Sequence, residues 1–126
     1  MKILAVSDRV VKSIYSTQIR ERFGDVDMVL SCGDLPYSYL EFIVSMLNVP
    51  SFFVHGNHDQ PEYQSDGRVL TAPGGWVDLD GRIVRSKGLI LAGFEGSIRY
   101  KPQGEHQYTE AQMAFKVRRM VPALLL

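Results

Sequence analysis

The apolar positions of the first half fall into runs separated by helical spacing. "KILAVS" (2–7), "DMVLSC" (27–32) and "SFFVH" (51–55) are near-continuous apolar stretches of strand length. Between the first two, Val11, Tyr15, Ile19 and Phe23 recur every fourth residue, which predicts one face of a helix closed at Gly24. Between the second and third, Leu40, Ile43 and Leu47 mark another helix with Pro36 near its start. Unbroken apolar strands alternating with helices predict parallel βαβ units covered on both faces.

The second half has a different rhythm. In "GGWVDLDGRIV" (74–84) the pair Asp80-Gly81 stands between apolar residues and predicts a hairpin turn. "GLILAGFEG" (88–96) reads as another buried strand. After a polar loop, Thr109 and Gln112 have capping-box spacing at the head of a helix. Ala114, Val117, Val121 and Leu124 can share one face of that helix, with Pro122 set against its last turn. Proline also suits the first position of a new helix. The expectation is therefore that residues 1–126 are the N-terminal portion of a longer domain, truncated just as another helix begins.

Composition narrows the class. The 126 residues suit one small domain, and a hydrophobic fraction of 45% is enough for a core. Lys and Arg number 14 against 14 Asp and Glu, so no polyanion is held by bulk charge. Nucleic acid is not an expected partner, although a nucleotide or diester substrate stays compatible. The single cysteine, Cys32, rules out a disulfide framework or a cysteine zinc knuckle, and its apolar neighbours predict a buried thiol. The first apolar run reaches Asp8 too soon for a leader core or a membrane span, so a cytoplasmic protein with no membrane partner is expected.

The candidate chemistry lies where the strands stop. The first run ends at Ser7-Asp8, the second at Gly33-Asp34 and the third at Gly56-Asn57-His58-Asp59. Carboxyl ends of parallel strands lie along one sheet edge, where sites form. Asp8, Asp34 and Asn57 should therefore converge, with Gly33 and Gly56 allowing sharp turns. Carboxylates converging in a crevice need a positive charge between them. Oxygen and imidazole donors suit Mn, Fe, Zn or Mg. A pair of such ions activates water and clamps a phosphoryl oxygen. His58 is then free to protonate a leaving oxygen.

Taken singly, these residues have plainer readings. Asp8 and Asp34 suit helix N-caps, and Asn57 and Asp59 suit turns. His55 reads as a packed strand residue and His106 as a solvated loop residue. Arg9 reads as a surface arginine, Tyr37 and Tyr39 as helix-start packing or crevice lining, and Trp76 as core. Lys116, Arg118 and Arg119 read as a solvated helix face. Only the joint placement at three successive strand ends favours a metal site.

"SDRV", "CGDLPY" and "HGNHD", in that order over residues 7–59, resemble the first three motifs of the calcineurin-like metallophosphoesterase superfamily. The resemblance implies an α/β fold, an αββα sandwich of two mixed sheets flanked by helices, present here in incomplete form. It implies a phosphomono- or diesterase with two divalent ions (Mn, Fe or Zn) and a small-molecule phosphoester substrate. By it, Asp8 binds the first metal, Asp34 bridges both, Asn57 binds the second, and His58 is catalytic; Asn57 and His58 also contact substrate. Three positions depart from the family pattern. Val10 stands where the first motif has a histidine, and Tyr37 stands where the second has its second aspartate. The later lone His and Gly-His-x-His motifs are missing. These departures support the alternative of a non-catalytic remnant or interaction fragment of such an enzyme.

Overall fold

The computed structural model describes residues 1–101 and 104–125. Pro102, Gln103 and Leu126, the last of the three terminal leucines, lie outside the described residues. In chain order the elements are β1 (Ile3–Val6), α1 (Ile19–Phe23), β2 (Met28–Ser31), α2 (Tyr37–Leu47), β3 (Ser51–Phe53), β4 (Glu62–Tyr63), β5 (Val69–Leu70), β6 (Val77–Asp78), β7 (Arg82–Ser86), β8 (Leu89–Gly93), β9 (Ser97–Ile98), β10 (Gln107–Tyr108) and α3 (Glu110–Leu124). β1, β2, β3 and β6 form one parallel sheet in that spatial order. The predicted parallel βαβ units are therefore present, as a mixed α/β fold.

Strand pleating sorts the side chains to two faces. Leu4, Val6, Val29 and Phe53 share the face that packs with Ile14, Ile19, Tyr39, Leu40, Ile43 and Trp76. On the opposite face Met28 and Phe52 pack with Leu79 and with Val84, Leu89 and Leu91 of the β7–β8 hairpin. Helices thus cover one face and a hairpin covers the other. The hairpin cover is partial, since Ile3, Ala5 and Cys32 are exposed. The thiol expected to be buried is exposed, one residue past the end of β2, where it lines an open depression with Ala92, Gly93 and Phe94.

The first helix is shorter than its periodicity predicts. Residues 11–18 form turns, with the Ile14 and Tyr15 amides both donating to the Val11 carbonyl. Three β-branched residues, Val11, Ile14 and Thr17, and two serines in this stretch disfavour helix. Ile14 enters the core instead of Tyr15, whose ring lies over Tyr39 and Phe42 at 5.2 and 4.9 Å. α2 matches its prediction. No side chain within the helix start caps it; the Glu62 carboxylate accepts from the Tyr37 and Ser38 amides at 2.9 and 3.1 Å. This anion at the helix N-terminus leaves Asp34 free of the capping role. Trp76 is core as expected, and its indole N–H donates to the Leu40 carbonyl at 2.7 Å.

The hairpin turn falls elsewhere than predicted. Lys87 and Gly88, with φ of 48° and 81°, join β7 to β8 in a two-residue loop, and both positive φ values suit a primed turn. Asp80-Gly81 instead turns the chain out of β6, which pairs in parallel with β3. β8 is a hairpin arm with alternating burial and not a strand buried on both faces. The Thr109–Gln112 capping box is formed reciprocally. Pro122 lies inside α3 rather than starting a helix, and of that helix only Met120 is buried. Val117, Val121 and Leu124 of the expected core face are exposed.

At the sheet's carboxyl edge the chain crosses itself closely. A Cβ added to Gly33, at φ 94°, would lie 2.3 Å from the Gly56 amide nitrogen. Gly67 has a similar φ of 88° but open space around it. Gly67→Ala should therefore cost about 1–2 kcal/mol, from left-handed backbone alone. Gly33→Ala should cost more than about 3 kcal/mol, because the clash is added. Paired urea unfolding curves measure the difference, and equal losses would mean that the crossing relaxes.

Candidate functional site at the strand ends

Asp8 follows β1 and Asp34 follows β2, each with a positive φ, 67° and 61°. Side chains rarely adopt this conformation, and where they do the surrounding structure must hold them there. The Asp8 amide donates to the Gly33 carbonyl at 3.2 Å, which joins the first two strand ends. The Asp34 Oδ1 accepts from the His58 amide at 2.9 Å, which joins the second and third. A Cβ on Gly56 would lie 2.1 Å from the same Oδ1. Glycine at 56 is thus required for close approach of the carboxylate and not for its φ.

The side chains are less uniformly gathered than the backbone. The Asp8 carboxylate accepts from its own neighbour, the Ser7 hydroxyl, at 2.7 Å. Val10 is exposed. The Asn57 Nδ2 donates to the Tyr100 hydroxyl at 3.1 Å and lies 3.3 Å from the His58 Nε2. His58 is exposed, and with Asp34, Asp59 and Glu62 it lines a shallow depression of about 250 Å³. Asp34, Asn57 and His58 are therefore brought together by side-chain contacts, whereas Asp8 joins them through backbone alone. Asp59 is buried, its Oδ2 accepting from the Gly56 amide at 2.8 Å, and it closes the turn as its residue type suggests. Burial raises its carboxyl, partly countered by that hydrogen bond. Tyr37 is buried and meets His55 in a T-shaped contact at 6.0 Å, and burial, then the Asp59 and Glu62 charges, raises its phenol.

Beside this depression is a buried polar cluster that the linear sequence did not reveal. Glu95, two residues past β8, lies 3.4 Å from His55 Nδ1 and 3.1 Å from His106 Nδ1, and Tyr108 donates its hydroxyl to the same carboxylate. The two imidazoles stack at 4.4 Å and 3°. His106 is therefore no solvated loop residue. His55 is packed, as expected, but is also engaged electrostatically. Burial pushes the Glu95 carboxyl up, but His55, Tyr108 and His106 together outweigh it and hold it at about 2. Glu95 in turn raises the His55 imidazole, against the opposing effect of burial. Lys116 also departs from the solvated reading: it pairs with Asp80 at 2.5 Å and lies 4.1 Å over the Tyr108 ring. Residues separated by 40 and 11 positions carry no spacing signal; the sole hint was a glutamate beside Gly96 at the end of an apolar strand.

Among the described residues, His55, Glu95 and His106 place their ligand atoms within 4.8 Å of one another, a group that could hold a cation. Among the described residues no helix is long and apolar enough to cross a membrane.

Glu95 is depressed from the ordinary 4.5 to about 2, so the stability it contributes is present above 4.5 and is lost as pH falls toward 2. In protein treated with a chelator, Glu95→Gln should lower stability at pH 7 by about 1–3 kcal/mol. Wild type and variant should converge between pH 4.5 and 2. Urea melts across that range test this, and a constant gap would contradict it.

A family model described as calcineurin-like phosphoesterase matches residues 1–116. No curated protein and no solved structure matches the chain.

Proposed function

Because the chain belongs to the calcineurin-like phosphoesterase family, we propose that it is a metal-dependent hydrolase of phosphomono- or diesters, with its site at the strand ends of the parallel sheet. The observation that carries this reading is the contact between Asp34 and the Gly56–His58 segment, where a carboxylate occupies the space that a Cβ at Gly56 would fill. Left-handed backbone at both Asp8 and Asp34 supports it, since strain of this kind collects at sites.

The donor set fits hard or borderline divalent ions such as Mn, Fe or Zn. Asp8, Asp34 and Asn57 would hold them, with Asp34 central because it alone touches the third strand end through its side chain. Bound there, such an ion polarises a phosphoryl oxygen and makes water a better nucleophile. Two ions are part of the proposal, on family resemblance. Asn57 and His58 face a small phosphoester substrate. His58 stands at the exposed mouth, within reach of a leaving oxygen. The Asn57 Nδ2 can only donate, so in the neutral ring His58 Nε2 accepts and Nδ1 carries the proton; to act as general acid the ring would first take a second proton and deliver it to the leaving oxygen.

The sheet faced by the β7–β8 hairpin also supports an αββα sandwich of which residues 1–126 are the N-terminal portion, because one sheet face is left partly bare. A second reading, a non-catalytic interaction fragment, draws support from the exposed Val10 and from the Asp8 carboxylate turned to Ser7.

With Mn²⁺ supplied, wild type should take up metal and hydrolyse aryl phosphates. Asp34→Asn should lose the strand-end Mn²⁺ and, with it, the hydrolysis. His58→Asn should keep the metal and lose about 10²–10⁴-fold in kcat. Metal content by mass spectrometry and initial rates give the answer. Neither uptake nor hydrolysis by wild type would leave the non-catalytic reading standing.

A further inference from the structure

We propose that His55, Glu95 and His106 form a second metal site, separate from the strand-end oxygens, that takes one Zn²⁺ or similar borderline ion and clamps β3 to the β9–β10 ribbon. Hydrogen bonding at His55 leads to this. Its Nε2 lies 3.1 Å from the Thr71 carbonyl oxygen, which can only accept, so Nε2 carries a proton. In the neutral ring, Nδ1 is then a bare lone pair. That atom is buried, has no hydrogen-bond partner, and faces the Glu95 Oε2 at 3.4 Å. A lone pair set against a carboxylate in the interior is unfavourable unless a positive charge stands between them.

Distance separates the two ways of supplying that charge. A proton bridging imidazole and carboxylate draws them to about 2.7–2.9 Å. A tetrahedral ion with arms of about 2.0–2.2 Å keeps its donor atoms roughly 3.3 Å apart. The observed 3.4 Å from His55 Nδ1 to the Glu95 Oε2 matches the second spacing, while His106 Nδ1 lies 3.1 Å from the other oxygen, Oε1. Two imidazoles and a carboxylate are also a donor set that zinc favours. The partners behind the ligands fit as well. Histidine ligands commonly give their other ring N–H to a backbone carbonyl, which Thr71 provides. Glu95 is oriented by the Tyr108 hydroxyl and, at its amide, by Asp80 at 3.0 Å.

The backbone sets the three donors in place without the ion. The Gly96 amide donates to the His55 carbonyl at 2.9 Å, and the Ser97 amide to the His106 carbonyl at 3.1 Å. A Cβ on Gly96, at φ 92°, would lie 2.2 Å from the His106 carbonyl oxygen, so only glycine permits this approach. His106 itself has a φ of 54°. The ligand atoms of all three residues lie within 4.8 Å of one another.

Zinc is titrated by calorimetry into the full chain after chelator treatment, with Asp34→Asn, Glu95→Gln and His106→Gln alongside. Asp34→Asn removes the strand-end site of the proposed function, so the fate of that reading does not decide this one. The proposal expects Asp34→Asn to retain one zinc equivalent. It expects Glu95→Gln and His106→Gln to weaken that equivalent by roughly a hundredfold or more. Far-UV circular dichroism checks that each variant is folded. X-ray absorption on zinc-loaded Asp34→Asn should show two imidazole ligands, and this readout holds even if a cluster variant fails to fold. Zinc bound by oxygen ligands alone, zinc affinity unchanged in folded His106→Gln, or no zinc bound by Asp34→Asn would each overturn the proposal.

Discussion

The architecture turns on one steric constraint, the crossing of Gly33 and Gly56 at the carboxyl edge of the parallel sheet. Each glycine fills a space in which a side chain would strike the other segment. With both in place, the chain leaving β2 and the chain leaving β3 run close enough for Asp34 to bond the His58 amide. The Asp8 amide meets the Gly33 carbonyl on the other side. Three strand ends far apart in sequence become one surface because two residues have no Cβ. Hydrophobic burial sets the strands side by side, but burial is non-directional and cannot place a carboxylate to a fraction of an ångström. The crossing does so, and Gly56 shows how: the Asp34 oxygen sits where its Cβ would be.

A second anchor holds the later part of the chain to this edge. Lys116 of α3 pairs with Asp80, Asp80 accepts from the Glu95 amide, and Glu95 binds two histidines and a tyrosine. Half-buried charge of this kind is a costly way to gain stability, and apolar residues of equal volume often serve as well. Its value lies in geometry. Apolar contacts tolerate sliding, whereas a carboxylate set against two imidazoles and a phenol fixes the end of β3 relative to β10. The Asn57 side chain, bonded to Tyr100, extends the same connection into the candidate site.

What could be read from the sequence follows the range of each interaction. The parallel strands, α2, the capping box of α3 and the strand-end residues announce themselves locally, by apolar runs, i,i+3 and i,i+4 spacing, or Gly-Asp and Gly-Asn-His pairs. Local signals mislead where they compete. Lys87-Gly88 and Asp80-Gly81 both offer a glycine that accepts positive φ, and pairing of β6 with β3 decides which one closes the hairpin. The i+4 row Val11–Phe23 has helical spacing, but its polar and β-branched filling lets residues 11–18 form turns. Cys32 lies in an apolar run and still faces solvent, because what covers a strand face is a tertiary matter. The Glu95 cluster was illegible for the same reason: its members meet only after β3, β8 and β10 have been placed.

Backbone strain gives an independent view of where tertiary contacts hold this chain. Among the described residues other than glycine, positive φ occurs at Asp8, Asp34, Asn48, Lys87 and His106. Asn48 ends α2 and Lys87 closes a hairpin, both settings in which a left-handed residue supplies the turn itself. Asp8, Asp34 and His106 have no such local excuse. Each costs about 1–2 kcal/mol in left-handed backbone and is kept there by bonds to another segment. Those bonds are Asp8 to Gly33, Asp34 to His58, and His106 to Ser97 and Glu95. If folding alone had shaped these positions, glycine would relieve the strain at each. A carboxylate at two of them and an imidazole at the third, all aimed at other polar groups, imply that the side chain is what the strain maintains. These three residues stand at the strand-end surface and in the Glu95 cluster, where chain segments distant in sequence meet.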